Sequence, residues 1–177
     1  MAIRPIMQGD APVLRQKARR VKEYNQALQQ LVDDMFETMH AANGVGLAAP
    51  QVGVSQQVFV VEIPADEEEG TPARRYVLCN PEIVKAQGEE TDDEGCLSLP
   101  GYVGEVTRAA VVTMKGYDLR GKPVRVRGEG LLARALQHEL DHLLGILFVD
   151  RLEGLDKLRR VKAEGEKPEP GDDGAQT

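Results

Sequence analysis

Leu131-Leu-Ala-Arg-Ala-Leu-Gln-His138-Glu139-Leu-Asp-His142-Leu-Leu144-Gly145 is the most informative stretch of this 177-residue chain. Its apolar residues recur at helical spacing and a glycine follows the last of them, so a helix is expected from about Glu129 to Leu144. Residues four apart share a helix face, which lets the imidazoles of His138 and His142 reach one ion. Glu139 then sits beside that ion as an acid/base. The chain holds only three histidines, so two of them at ligand spacing is poorly explained by chance. The same stripe runs back through Ala135 and Leu131, which makes this an apolar face lining a cleft.

Two histidines leave a third ligand to find. A zincin peptidase takes it downstream, yet no histidine follows His142, and Asp150, Glu153 and Glu164 stand in no recognisable context. Upstream, Cys96 in Glu94-Gly-Cys96-Leu-Ser98 is the obvious donor, since thiolate is a strong ligand for Zn²⁺ and Fe²⁺ and three protein ligands leave a position for water. Cys79, in the apolar run Tyr76-Val-Leu-Cys79, reads as a packed thiol. Two cysteines are in any case too few for a disulfide scaffold.

Outward from this helix the pattern is of strands, then another helix. Leu28, Leu31, Val32, Met35, Phe36 and Met39 form a helical stripe, with Asn25 as N-cap and Asn43-Gly44 as stop. Strands are expected at Gln57 to Ile63, Arg75 to Asn80 and Glu82 to Gln87. A hairpin of Ala110 to Tyr117 with Val124 to Arg127 turns around Asp118-Leu-Arg-Gly121. Residues 1–23 carry little pattern, and a short basic helix is expected over about Leu155 to Ala163. Helix, antiparallel strands, helix: the fold class is α+β, antiparallel or mixed sheets packed around a central His-Glu-x-x-His helix, with an N-terminal helix and a short C-terminal one.

Composition sets limits on partners. The formal charge is −7, which argues against a generally basic nucleic-acid binder and against sequence-specific nucleic-acid recognition. Residues 164–177 hold five acids and one lysine, so −4 of the −7 lies there. That stretch has no large apolar residue and is expected to be disordered, leaving residues 1–163 as one domain. With no secretion signal and no run long enough to span a bilayer, the expected location is the cytoplasm.

Three motifs, in order, resemble the peptide deformylase family in its bacterial type. They are Gly44-Val45-Gly46-Leu-Ala-Ala-Pro-Gln51, Glu94-Gly-Cys96-Leu97-Ser98 and Gln137-His138-Glu139-Leu-Asp-His142, and the likeness extends from the first helix to about Asp150. The resemblance implies that Cys96, His138 and His142 hold one divalent ion, commonly Fe²⁺ in the family, with Ni²⁺, Co²⁺ or Zn²⁺ as substitutes. It implies hydrolysis of the N-formyl group of formylmethionine on a new polypeptide, with release of formate.

The ion would make hydroxide available near neutral pH for attack on the formyl carbon. The Gln51 amide and the Leu97 backbone N–H would steady charge on the formyl oxygen, and Glu139 would pass the water proton to the leaving amine. Val45 and Gly46 would bind substrate, Gly46 leaving room for its backbone to pair as an added strand. Glu94 and Arg108 would form an ion pair behind the Cys96 loop. His40 would complement the dipole of the first helix. Lys157, Arg159, Arg160 and Lys162 are a candidate contact to ribosomal RNA. A zincin-like endopeptidase built on the same helix is the rival reading, and a metal-binding protein without turnover another.

Overall fold

Val58-Phe-Val-Val61 is buried at every residue, the mark of a strand covered on both faces. The computed structural model, which describes residues 2–161, shows how. A five-stranded antiparallel sheet is formed by β1 (Gly46–Ala48), β2 (Val58–Ile63), β3 (Arg74–Gln87), β6 (Val111–Tyr117) and β7 (Pro123–Glu129), in the order β1-β2-β3-β6-β7. One face takes α1 (Gln26–Ala41): Val58, Val60 and Cys79 meet Leu28, Leu31, Val32, Met35 and Met39. The other takes α2 (Gly130–Leu143): Phe59, Val61, Leu78, Val112 and Met114 meet Leu132, Ala133, Leu136 and Leu143. Period-two alternation along β2 thus feeds two cores.

The expected caps are present. The Asn25 side chain accepts the Leu28 N–H at 3.1 Å, and Asn43 takes a left-handed conformation (φ 54°) where α1 ends. Gly145, at φ 76°, ends α2; a Cβ there would lie 2.7 Å from the Arg15 carbonyl oxygen, so the N-terminal segment could not pass. The hairpin of β6 and β7 lies at its expected place.

Two expectations need correction, and a second sheet is added to what was expected. Arg75 to Asn80 and Glu82 to Gln87 are one strand, β3, with a register break at Asn80-Pro81. Asn80 sits at φ 51° and its side chain grips both the N–H and the carbonyl of Val21, which fastens the N-terminal segment to the sheet. The acidic stretch around Glu89 to Glu94 is largely strand β4 (Glu90–Cys96), paired with an unforeseen β5 (Leu99–Arg108). These two, with β8 (Leu158–Arg160), make a small second sheet in the order β4-β5-β8. Lastly, the basic helix from Leu155 is not formed: a 3-10 turn at Leu155–Lys157 leads into β8, whose backbone pairs with Tyr102–Gly104 of β5. Its remaining residues, Lys162 and Ala163, and the acidic stretch 164–177 lie outside the described residues. No helix among the described residues is long and apolar enough to cross a membrane.

Candidate metal centre

The site lies where the two sheets meet over α2. Cys96 ends β4 at a bulge, and α2 presents His138 and His142 one turn apart on one face. The Cys96 Sγ is 3.3 Å from His142 Nε2, which is 3.2 Å from His138 Nε2. Among the described residues this is the one group of three or more potential ligands whose donor atoms converge, all within 4.8 Å. Two histidines and a thiolate with metal–nitrogen bonds of about 2.0–2.1 Å put tetrahedral donors roughly 3.3–3.6 Å apart, so the donor set fits a single divalent ion. Of the downstream acids, Asp150 accepts the Leu147 N–H and pairs with Arg15, Glu153 is exposed, and Glu164 lies outside the described residues.

The tautomer of His138 follows from its neighbour. Its Nδ1 is 2.7 Å from Glu94 Oε1, an acceptor, so Nδ1 carries the hydrogen and Nε2 faces the other two donors. Burial works against charge on His138, but hydrogen bonds with Cys96 and Glu94 outweigh it and push the pKa up to about 10. His142 goes the other way: burial, then the charges of His138 and Arg108, hold it well below its ordinary value as a neutral imidazole. Its Nδ1 has no hydrogen-bond partner among the described residues.

Glu139 faces a cavity of about 420 Å³ that Cys96, Leu97, Val45, Gly46, Gln51, Leu131 and Ala135 also line. Its carboxyl is buried, makes no hydrogen bond through Oε2, and is pushed up to about 7, chiefly by burial. Such a group can take and return a proton near neutral pH. Gln51 is fully buried in a 3-10 turn, Ala49–Val52. Its Oε1 accepts the Ala48 N–H at 2.9 Å, which obliges the Nε2 to point toward Cys96 Sγ (3.6 Å) and Ser98 Oγ (3.2 Å). The expected site residues Val45, Gly46, Gln51, Cys96, Leu97, His138 and Glu139 thus share one cavity, and His142 lies behind it.

The Glu94–Arg108 pair is present and is part of something larger. Arg108 donates through Nε and Nη2 to Glu94 and through Nη1 to Asp141; Arg134 adds a bond to Glu94, and Arg151 adds two to Asp141. Burial would raise Glu94, yet its bonds from Arg108 and His138 hold it far below the usual carboxylate range. Sequence reasoning missed Arg134, Asp141 and Arg151. The available signal was an arginine set among Ala133, Ala135 and Leu136 on an otherwise buried helix face. His40 does more than complement a dipole: its Nε2 pairs with Glu62 on β2. Cys79 is a packed thiol as expected, pushed up to about 12 by burial.

A carboxyl and two imidazoles on one buried helix, completed by a thiolate from a neighbouring strand, define a metal-dependent hydrolase. The family model for polypeptide deformylase matches residues 3–158. The chain belongs to the polypeptide deformylase family, whose members remove the N-formyl group from newly made polypeptides. It is 52% identical to a peptide deformylase of Thermomicrobium roseum over 94% of this chain and 96% of that one. A crystal structure of the enzyme from Legionella pneumophila superposes with a TM-score of 0.81 at 48% identity, covering 88% of this chain and 89% of that one. A Met-Ala-Ser-bound structure from Acinetobacter baumannii gives 0.79 at 38% identity, over 85% of this chain and 99% of that one.

Proposed function

We propose that this chain removes formyl groups at the cavity described, with Cys96, His138 and His142 as the ligands of a single Fe²⁺ that Ni²⁺, Co²⁺ or Zn²⁺ can replace. Bound there, the ion supplies Lewis acidity toward water and the formyl oxygen. Glu139 takes the proton of the attacking water and delivers it to the departing amine, since an amine anion leaves poorly. The Gln51 Nε2 and the Leu97 backbone N–H donate to the formyl oxygen as charge grows on it. Gln51 is suited to this because the Ala48 N–H fixes its amide orientation.

The substrate backbone runs beside Val45 and Gly46. β1 is an edge strand of the large sheet, so a peptide can add to it through main-chain hydrogen bonds. The apolar lining from Leu97, Leu131 and Ala135 suits an unbranched side chain such as methionine. Met-Ala-Ser, bound in the Acinetobacter structure, has the form of the product this reading assigns here. The observation that carries the reading is the convergence of three donor atoms in the cavity that also holds the buried Glu139 carboxyl. Its test is formate release from formyl-Met-Ala-Ser: Glu139→Ala should retain one equivalent of metal and lose turnover. Near-normal turnover would remove Glu139 from the chemistry, and cleavage inside unformylated peptides would favour an endopeptidase.

The reading places the protein in the cytoplasm, where formylated chains emerge. Lys157 and Arg160, which have no acidic partner among the described residues, are its contact to ribosomal RNA; Arg159 is engaged with Asp93, and Lys162 lies outside the described residues. Co-sedimentation with ribosomes that survives charge reversal at Lys157 and Arg160 would dispose of that contact.

A further inference from the structure

Arg134 lies one helical turn before His138 and is almost wholly buried, although it faces the same cavity as Glu139. Its guanidinium makes three bonds, all to the small sheet. Nη1 donates to Glu94 Oε2 at 2.6 Å and to the Val106 carbonyl at 2.9 Å, and Nη2 donates to the Glu90 carbonyl at 2.9 Å. Glu90 and Glu94 belong to β4, whose last residue is Cys96, and Val106 belongs to β5.

Glu94 is the carboxylate shared by Arg134, Arg108 and His138. Each carboxylate oxygen has two acceptor sites. Oε1 accepts from His138 Nδ1 at 2.7 Å and Arg108 Nη2 at 2.8 Å; Oε2 accepts from Arg108 Nε at 2.8 Å and Arg134 Nη1 at 2.6 Å. All four sites are filled, so the carboxylate cannot turn, and the oxygen that orients His138 is held in place by the group that Arg134 braces. Arg108 acts from β5. Arg134 is the cation that stands on the ligand-bearing helix itself and reaches across to the ligand-bearing strand.

We propose that Arg134 is a positioning residue for the metal centre: it fixes the spacing between the β4 end that carries Cys96 and the α2 turn that carries His138, and completes the grip on Glu94 that sets the His138 tautomer. A fork suits this task, because Nη1 bridges Glu94 of β4 and Val106 of β5 while Nη2 reaches the separate Glu90 carbonyl, which the single nitrogen of a lysine does not serve as well. This rests on the metal assignment above.

The test uses the full-length protein, stripped and reloaded with Co²⁺. The wild type should bind one equivalent with a thiolate-to-cobalt charge-transfer band; failure to do so would overturn the metal assignment together with this proposal. Arg134→Met keeps the stem that lines the cavity and removes the fork. It should weaken Co²⁺ affinity about 10–100-fold, the usual effect of losing a partner behind a ligand, and shift the visible bands of the cobalt protein. In turnover of formyl-Met-Ala-Ser, kcat should fall while KM changes little. Arg134→Lys should recover part of the affinity and of the spectrum, and it decides the matter if Arg134→Met does not fold. Wild-type affinity and an unchanged spectrum in the folded variants would overturn the proposal. A raised KM at constant kcat would do so as well, and would make Arg134 a wall of the substrate cavity only.

Discussion

The carboxyl of Glu139 rests against the backbone of Gly46: a methyl group at that glycine would lie 2.5 Å from Oε1 and 2.9 Å from Cγ. The edge strand β1 and α2 therefore meet here with no side chain of Gly46 between them. Glu139 is fixed by close packing where it lacks a hydrogen bond.

Gly46→Ala should displace that carboxyl with little effect on the donors of Cys96, His138 and His142. General acid–base catalysis contributes typically 10²–10⁴-fold, and the variant is expected to lose about 10²-fold in kcat. Metal content should change little, while the thermal midpoint should fall by a few degrees, the cost of about 1–3 kcal/mol for overpacking against the buried Glu139. A variant that keeps full activity would show that Glu139 has room to retreat and still work.

Gln51 gives a separate expectation. Gln51→Leu keeps the volume but cannot donate to the formyl oxygen, and kcat should fall about 10²–10³-fold, the loss typical of one such donor. The Ala48 N–H also loses its acceptor in a buried place, so stability should drop by about 1–3 kcal/mol. Formate release and denaturant unfolding read the two effects independently. Loss of stability without loss of rate would assign Gln51 to structure alone.

The two thiols should differ sharply toward iodoacetamide in the metal-free protein. Cys79 is buried between the sheet and α1, and burial pushes its thiol up to about 12, so it should stay unmodified from pH 6 to pH 9 while the protein is folded. Cys96 borders the cavity and should be labelled, and bound metal should protect it. Peptide mapping that finds Cys79 modified as early as Cys96 would contradict this packing.

Acid should loosen the N-terminal segment from α1. Burial alone would raise Asp34, but bonds from the Ala2 N–H, Gln30 and Arg4 hold its carboxyl below the ordinary value. A carboxylate lowered in the folded state stabilises it above the unfolded pKa, near 4, and that contribution disappears as pH falls through the folded value. Asp34→Asn should therefore lower the melting temperature by a few degrees at pH 7 and flatten its decline below pH 4. Parallel melting curves for variant and wild type across pH 3–7 would show that the N-terminal segment is held by other means.

Much of the candidate centre was legible before any coordinates because its signals are local. A helix turn sets the spacing of His138 and His142, and Asn25 and Gly145 mark helix ends by their own conformational preferences. Cys96 was legible by its chemistry. The small sheet was not, because β4 and β5 do not carry an apolar alternation. Glu90, Asp92 and Asp93 are exposed and Glu94 is buried by ion pairs, so the stretch resembles a solvated loop until Arg108 and Arg134 are seen around it. Basic residues after Leu155 suggested a helix, yet backbone pairing with Tyr102–Gly104 outweighed that local preference.

The five-stranded sheet packs a helix against each face, whereas β8 joins the molecule through three residues at the rim of the small sheet, and Val161 beside it borders the substrate cavity. In deuterated solvent the amides of Val60 and Leu78 should be the last to exchange, through global unfolding alone, while those of β8 exchange early by local opening. One wall of the cleft then breathes on a timescale that the opposite wall does not share.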